Sequence, residues 1–394
     1  MRRFLWASYG MYLLAGSISV LFGSIMPELV AYYHTTYTTG GLLILSQSIG
    51  FIAGVLLTVN LMKKYHHKAI LSGSALVVFV AQAGLLFWPP IYLLFPLMIV
   101  NGVGVSMIET AVASYIMELF AGRRAVVMSR LEVAFGLGAL GMPAIASGLI
   151  AMGAWRFSSA PLAAFALILS VLWITMTVDS EQSHHEGYSD ARTAAPPAFS
   201  SRFALYQIMA FFLVLIFIYV GVEGSLNSFL PTIFTVYVNT KPYFATLSTS
   251  VFWIAMVVGR MAIGWIVHRV SYERYLLGSF LLSVLFFLLL AQFHTSLWSY
   301  VIVGGLGFSM SAIYSVTMVY ANHTFPGRER FVTSAVTGFA GMGMAVFPAV
   351  IGYAVSHLLP WQVLWLLLGF AVIMLVIFLA IDGSLRIIRK RTSY

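Results

Sequence analysis

The chain has 394 residues, of which 61% are hydrophobic and 8% charged, with no cysteine and a formal net charge of +9. A soluble domain carries about 25% charged residues, so this chain has too little charge to coat a water-facing surface. The missing cysteines exclude disulfide scaffolds, thiolate metal centres, iron–sulfur clusters and a cysteine nucleophile.

Apolar runs bounded by charged or Pro/Gly-marked breaks predict twelve spanning segments, over 5–31, 39–62, 69–88, 93–119, 125–152, 157–178, 203–237, 243–267, 275–293, 297–321, 331–358 and 363–385. Each has the length that one bilayer crossing needs. The first run is too long, and too poor in a small-residue cleavage site, for a removable signal peptide. The chain therefore reads as an all-α membrane protein. Residues 179–202 break the pattern with four acids, two prolines and little apolar content. They predict a cytoplasmic linker between a six-helix bundle at 1–178 and another at 203–394.

Lys and Arg orient the segments. The termini and the loops after even-numbered segments hold Arg2, Arg3, Lys63, Lys64, Lys68, Arg123, Arg124, Arg130, Arg192, Arg202, Arg269, Arg274, Arg328, Arg330 and the basic C-terminal run from Arg386. The other side holds only Arg156 and Lys241. This asymmetry places both termini in the cytoplasm of a multi-pass protein of the cell membrane. It also accounts for the positive balance without nucleic acid as a partner. The histidines fall in or beside loops, His66/His67 and His184/His185 included, and read as solvated side chains rather than metal ligands.

The two halves are copies. The run from Ile99 to Met107 lies over that from Ile302 to Met310, and Phe120-Ala121-Gly122-Arg123 lies over Phe325-Pro326-Gly327-Arg328. Segments 5 and 11 share G-x-G-x4-P, as Gly136/Gly138/Pro143 and Gly341/Gly343/Pro348. Segments 1 and 7 share Ser24/Pro27/Tyr33 and Ser228/Pro231/Tyr237. Such a parallel repeat is the arrangement of the two halves of major facilitator transporters. Small residues recurring at matched places would let the helices of two rocking bundles approach closely.

Departures from that symmetry mark the candidate chemistry. Glu109 in segment 4 stands opposite Ala312, Glu132 in segment 5 opposite Thr337, and Glu223 in segment 7 opposite Ser19. A carboxylate inside the membrane must face water, pair, or carry a proton. Glu109, Glu132 and Glu223 are the proton-coupling candidates. Structural pairing remains open for Glu109, a cytoplasmic gate pair with Arg130 for Glu132, and bonding to substrate hydroxyls for Glu223. Arg260 is the one basic residue well inside an apolar segment; with Lys63, Lys64, Arg130 and Arg269 it is a candidate for cytoplasmic gating. Gln47, Asn101 and Asn227 supply amides at similar depth, and Trp253 and Tyr314 supply aromatic faces. Asn101 and Glu109 are eight residues apart, about 80° around a helix, and can line one cavity. Amides and carboxylates around a flat aromatic surface suit a sugar.

Several runs are more specific: Ser46-Gln47-Ser48-Ile49-Gly50 with Gly54; Ile108-Glu109-Thr110; Ser129-Arg130-Leu131-Glu132-Val133; Tyr219-Val220-Gly221-Val222-Glu223 with Asn227-Ser228-Phe229-Leu230-Pro231; and Phe252-Trp253 with Gly259-Arg260. On these the sequence resembles the fucose–galactose–proton symporter branch of the major facilitator superfamily, and within it the bacterial glucose/mannose–proton symporters. The resemblance implies two six-helix bundles and proton-coupled import of a hexose by alternating access. It puts Glu109 on the family's proton-coupling carboxylate, and Gln47, Glu132, Glu223, Asn227 and Trp253 on positions like the lining of its sugar cavity. One departure stands out: fucose-type members carry an Asp four residues before the segment 1 proline, where this chain has Gly23. The glucose-type members share that lack.

The competing reading is a proton-coupled exporter of drugs or lipophilic metabolites, for which Gly138, Gly141, Pro143 and Gly148 offer a loose glycine–proline motif. A membrane enzyme lacks support, with neither a deep His nor an H-E-x-x-H pattern. The expected partners are a sugar, a proton and the bilayer, with no cofactor and no metal, and the chain is expected to work as a monomer.

Overall fold

A computed structural model describes residues 2–119, 124–176, 202–266, 269–293 and 295–392. The linker expected at 179–202, with His184/His185 and Arg192, lies outside the described residues except for Arg202. Among the described residues all regular structure is helical, and twelve spans are long and apolar enough to cross a bilayer.

The helices follow in chain order as α1 (Arg2–Ser24), α2 (Met26–Tyr32), α3 (Tyr37–Met62), α4 (His67–Leu86), α5 (Ile91–Leu119), α6 (Arg124–Ala151), a 3-10 turn (Trp155–Ser159) and α7 (Ala160–Thr175). The second half holds α8 (Arg202–Val236), α9 (Pro242–Ile266), α10 (Tyr272–Gln292), α11 (Ser296–Met310), α12 (Ile313–Thr324), α13 (Glu329–His357) and α14 (Pro360–Thr392). Two of the twelve predicted segments are each split into two helices. Segment 1 breaks at Ile25, where Pro27 enters the first turn of α2 and brings no N–H to continue the ladder of α1. Segment 10 breaks at Ser311–Ala312, with no proline or glycine at the break. Pro231, the repeat mate of Pro27, sits inside an unbroken α8.

The described residues group into two compact units. The first is drawn from Met1–His184 with Asn227–Trp253 and Ala349–Ser356. In it α3 packs along α5, α1 along α6, and α4 against both α5 and α7. The second is drawn from His185–Leu226, Ile254–Pro348 and His357–Tyr394, with α10 packed on α14, α11 and α12. Small residues set the closest approaches. A Cβ on Gly54 would fall on Ser106 Oγ in the first unit, and one on Gly259 would fall on Ser311 Oγ in the second. Helices with no hydrophobic drive between them associate through such close packing.

The loops of the first unit define two ends. The α3–α4 turn, with Lys63, Lys64 and Lys68, marks its basic end. At the opposite end Tyr32, Trp88 and Trp155 pack edge to face, with Tyr33 beside Trp88. The Arg156 guanidinium lies 4.2 Å over the Tyr32 ring, and Trp88 Nε1 donates to the Arg156 carbonyl at 2.8 Å. Tyr33 donates to the Pro89 carbonyl at 2.6 Å; burial and the neighbouring Tyr32 push its hydroxyl up to about 12, against the pull of Arg156. Glu28, in the first turn of α2, is half-buried, and that burial raises its carboxyl above the usual range.

Candidate functional site

α5 runs unbroken past Pro96 and carries Glu109 half-buried. Tyr12 of α1 donates its hydroxyl to the Glu109 backbone carbonyl at 3.3 Å. Tyr12 and Glu132 of α6 both lie within electrostatic reach of the Glu109 carboxylate. Among the described residues, no Lys, Arg or His forms an ion pair with Glu109. Glu132 is exposed, as is Arg130 two positions earlier on the same helix. Residues two apart on an α-helix point to nearly opposite sides, so these two do not form a gate pair with each other.

Asn101 differs from the sequence expectation. It is fully buried, and its Oδ1 accepts from Gln82 Nε2 of α4 at 3.0 Å. The eight-residue spacing to Glu109 is helical, but α4 covers the Asn101 side of α5. Asn101 therefore sits in a helix seam and not on a cavity wall with Glu109. Gln47 of α3 remains half-buried, its carbonyl packed where a Cβ on Gly102 would fall.

Asn227 and Trp253 are brought together. Trp253 Nε1 donates to Asn227 Oδ1 at 2.9 Å, and Phe135 of α6 lies 6.0 Å from the indole. Around this pair the first unit is sealed at the end away from its basic loops. A Cβ on Gly23 would fall on the Asn227 carbonyl and the Ser228 Cα, so α1 and α8 touch backbone to backbone. An Asp at this position, as in the fucose-type pattern, would not fit this contact. Ser250 Oγ donates to the Leu140 carbonyl at 2.8 Å and Ser147 Oγ to the Tyr243 carbonyl at 2.6 Å. Thr246 Oγ1 donates at 3.0 Å to the Ser24 carbonyl at the end of α1. The Thr38 amide donates to Ser356 Oγ at 2.8 Å.

The second unit holds a different cluster. Arg260 Nη2 lies 3.8 Å from Glu223 Oε1, and Arg260 Nε donates to the Ser311 carbonyl at 3.2 Å. Tyr219, within hydrogen-bonding range of Glu223, donates to the Met310 carbonyl at 2.7 Å. Tyr275 on α10 lies within hydrogen-bonding range of Ser279 and Ser311. Arg260 is thus committed to a membrane-embedded carboxylate rather than to a loop at the basic end. Lys63, Lys64 and Arg269 are exposed in loops or helix ends. Tyr314 on α12 is half-buried, its hydroxyl 3.5 Å from Thr337 Oγ1.

The sequence reading passed over Tyr12, Gln82, Tyr219, Tyr275 and Ser311. For the α11–α12 break a signal existed in the repeat itself. From Met107 to Phe120 is thirteen residues, and from the matching Met310 to Phe325 is fifteen. Two added residues turn a helix by about 200°, so a continuous helix would have swung everything beyond them to the wrong face. An interruption absorbs the slip.

The Major Facilitator Superfamily profile matches residues 6–238 and 212–386. A glucose/mannose transporter, GlcP of Bacillus subtilis (strain 168), is 27% identical over 385 residues, covering 96% of this chain and 93% of that protein. A mutant form of the nucleoside transporter NupG superposes with a TM-score of 0.77 at 16% identity, covering 96% and 98% of the two chains. A D-xylose–proton symporter does so with a TM-score of 0.69 at 17% identity, covering 94% and 95%. With a profile match along nearly its whole length and twelve apolar spans, the chain is a transporter, not an enzyme, and belongs to the Major Facilitator Superfamily.

Proposed function

We propose that the chain imports a monosaccharide, a hexose such as glucose or mannose, together with a proton by alternating access. The observation that carries this reading is Glu109, a carboxylate on an uninterrupted membrane helix with no cationic partner among the described residues. An ionised carboxylate costs about 2.5–3.5 kcal/mol or more at the centre of a membrane helix. Taking up a proton removes that cost, so the occupancy of Glu109 by a proton can bias which side of the membrane the site faces. Glu132 lies within electrostatic reach of the same carboxyl. The Asn227–Trp253 pair supports the sugar half, an amide bonded to the edge of an indole. The glucose/mannose transporter relative and the D-xylose–proton symporter among the structural neighbours support both halves.

On this reading residues 1–178 and 203–394 form the two moving bundles joined by the 179–202 linker. The chain works as a monomer in the cell membrane, and Lys63, Lys64, Arg130 and Arg269 line a cytoplasmic gate. Proteoliposomes loaded with a pH dye test the function: glucose or mannose added outside should alkalinise the outer medium. Failure of every monosaccharide, with expulsion of ethidium-like cations or uptake of nucleosides instead, would replace the reading. Orientation is tested by single cysteines in this cysteine-free chain. Ser296→Cys should react with an impermeant reagent in intact cells and Ser183→Cys should be protected; the reverse would invert the topology.

A further inference from the structure

We propose that Arg260 holds Glu223 as a permanent carboxylate that accepts hydrogen bonds from substrate hydroxyls, so that Glu223 takes no part in carrying the transported proton. This rests on the sugar–proton reading and assigns its second intramembrane carboxylate a role.

The break between α11 and α12 supplies the physical basis. α11 ends at Met310 and α12 begins at Ile313, and the first α12 ladder bond runs from the Val316 amide to the Ala312 carbonyl. No amide of the α12 ladder takes up the Ser311 carbonyl, and backbone at membrane depth must find another donor. Arg260 Nε supplies it, and Tyr219 donates to the neighbouring Met310 carbonyl. Anchored through Nε on the Ser311 carbonyl, Arg260 presents Nη2 to Glu223. A guanidinium does not give up its proton in a protein, so the charge facing Glu223 is constant.

The groups around Glu223 come from several helices. Tyr219 lies one turn earlier on α8, Arg260 stands on α9, and Tyr275 on α10 reaches the same break through Ser311. Among these groups Arg260 brings the positive charge and the tyrosines bring neutral hydroxyls. Glu109 has the opposite setting: another carboxylate and a tyrosine nearby, and no cation paired with it among the described residues. Neither partner of the ion pair is sealed away, with 14% of the Glu223 side chain and 31% of the Arg260 side chain exposed. A carboxylate fixed in its ionised form is an acceptor only, suited to the O–H donors of a sugar.

Proton-to-sugar ratios decide the matter, measured in proteoliposomes from labelled glucose uptake and a pH dye in the same vesicles. Glu223→Gln should keep the wild-type ratio while raising the glucose KM about tenfold or more, as loss of a charge-assisted hydrogen bond does. Arg260→Lys should preserve the ratio and much of the affinity. Arg260→Met should leave Glu223 free to protonate and raise the ratio. Should Arg260→Met fail to fold, the Glu223→Gln/Arg260→Met double variant removes both charges and should recover expression with the wild-type ratio. A ratio that collapses in Glu223→Gln while glucose exchange persists would make Glu223 the proton carrier and overturn the proposal. A wild-type protein that moves no protons with any hexose would instead overturn the function on which it rests.

Discussion

α5 and the α11–α12 pair occupy corresponding places in the repeat and solve the same problem differently. α5 runs as one helix through this depth and carries a side-chain acid, Glu109, in the middle. Its counterpart carries Ala312 there and instead opens its backbone, offering the carbonyls of Met310 and Ser311. The difference teaches where charge can change. A carboxyl on an intact helix can lose and regain a proton, whereas backbone carbonyls offer a fixed dipole that holds a fixed cation, Arg260. On the proposed reading, one half of the repeat titrates and the other stays constant.

The strongest test of that contrast is Glu109→Gln, which mimics the protonated acid. Gradient-driven accumulation of hexose should vanish while exchange of labelled for unlabelled sugar continues; full accumulation would remove Glu109 from the mechanism. Next in size is removal of Ser311 and Ala312, which restores the α5 interval to the second half. Tyr219 and Arg260 would lose their acceptors, each orphaned donor costing about 1–3 kcal/mol. The detergent-solubilised protein should melt well below wild type or fail to purify, and unchanged melting would show that the break is dispensable.

Smaller effects separate the two amides expected to touch substrate. Asn227→Ala should weaken hexose binding about ten- to a hundredfold, from a lost partner worth about 1–3 kcal/mol, and leave any lipophilic cation unaffected. Asn101→Ala strips Gln82 of its acceptor in the α4–α5 seam. It should lower thermal stability by about 1–3 kcal/mol with the KM near wild type. If Asn101→Ala changed the KM and not the melting temperature, the side chain would belong with the substrate.

Much of the architecture was legible because lipid leaves so few options. Twelve apolar runs in a chain with 8% charge can only be spanning helices, and all twelve are present. Interruptions were harder. Pro27 and Pro231 sit in the same repeated motif, yet one opens a helix and the other lies inside one. At the broken one, Thr246 donates to the Ser24 carbonyl. The α11–α12 break has neither glycine nor proline, and only the two-residue slip between repeats betrays it. For the site, depth was readable and direction was not. Spacing put Asn101 and Glu109 about 80° apart on a helix, but whether that arc faced a cavity or a neighbouring helix depended on Gln82, nineteen positions away. The Asn227–Trp253 pair needed the fold of two helices to bring its members into contact.

The seal at the end of the first unit away from its basic loops has a consequence for how the transporter meets its surroundings. Its fastenings are hydroxyls and an amide on neutral acceptors, at Ser250–Leu140, Ser147–Tyr243, Thr246–Ser24 and Thr38–Ser356, with the glycine contact at Gly23. Opening it trades each bond for one to water, at a net of about 0.5–1.5 kcal/mol apiece. None of these groups titrates, and none is screened by salt as ion pairs are. In the proposed orientation this latch faces a medium whose acidity and ionic strength the cell does not control. Being uncharged, these fastenings themselves keep the same strength as pH and salt change.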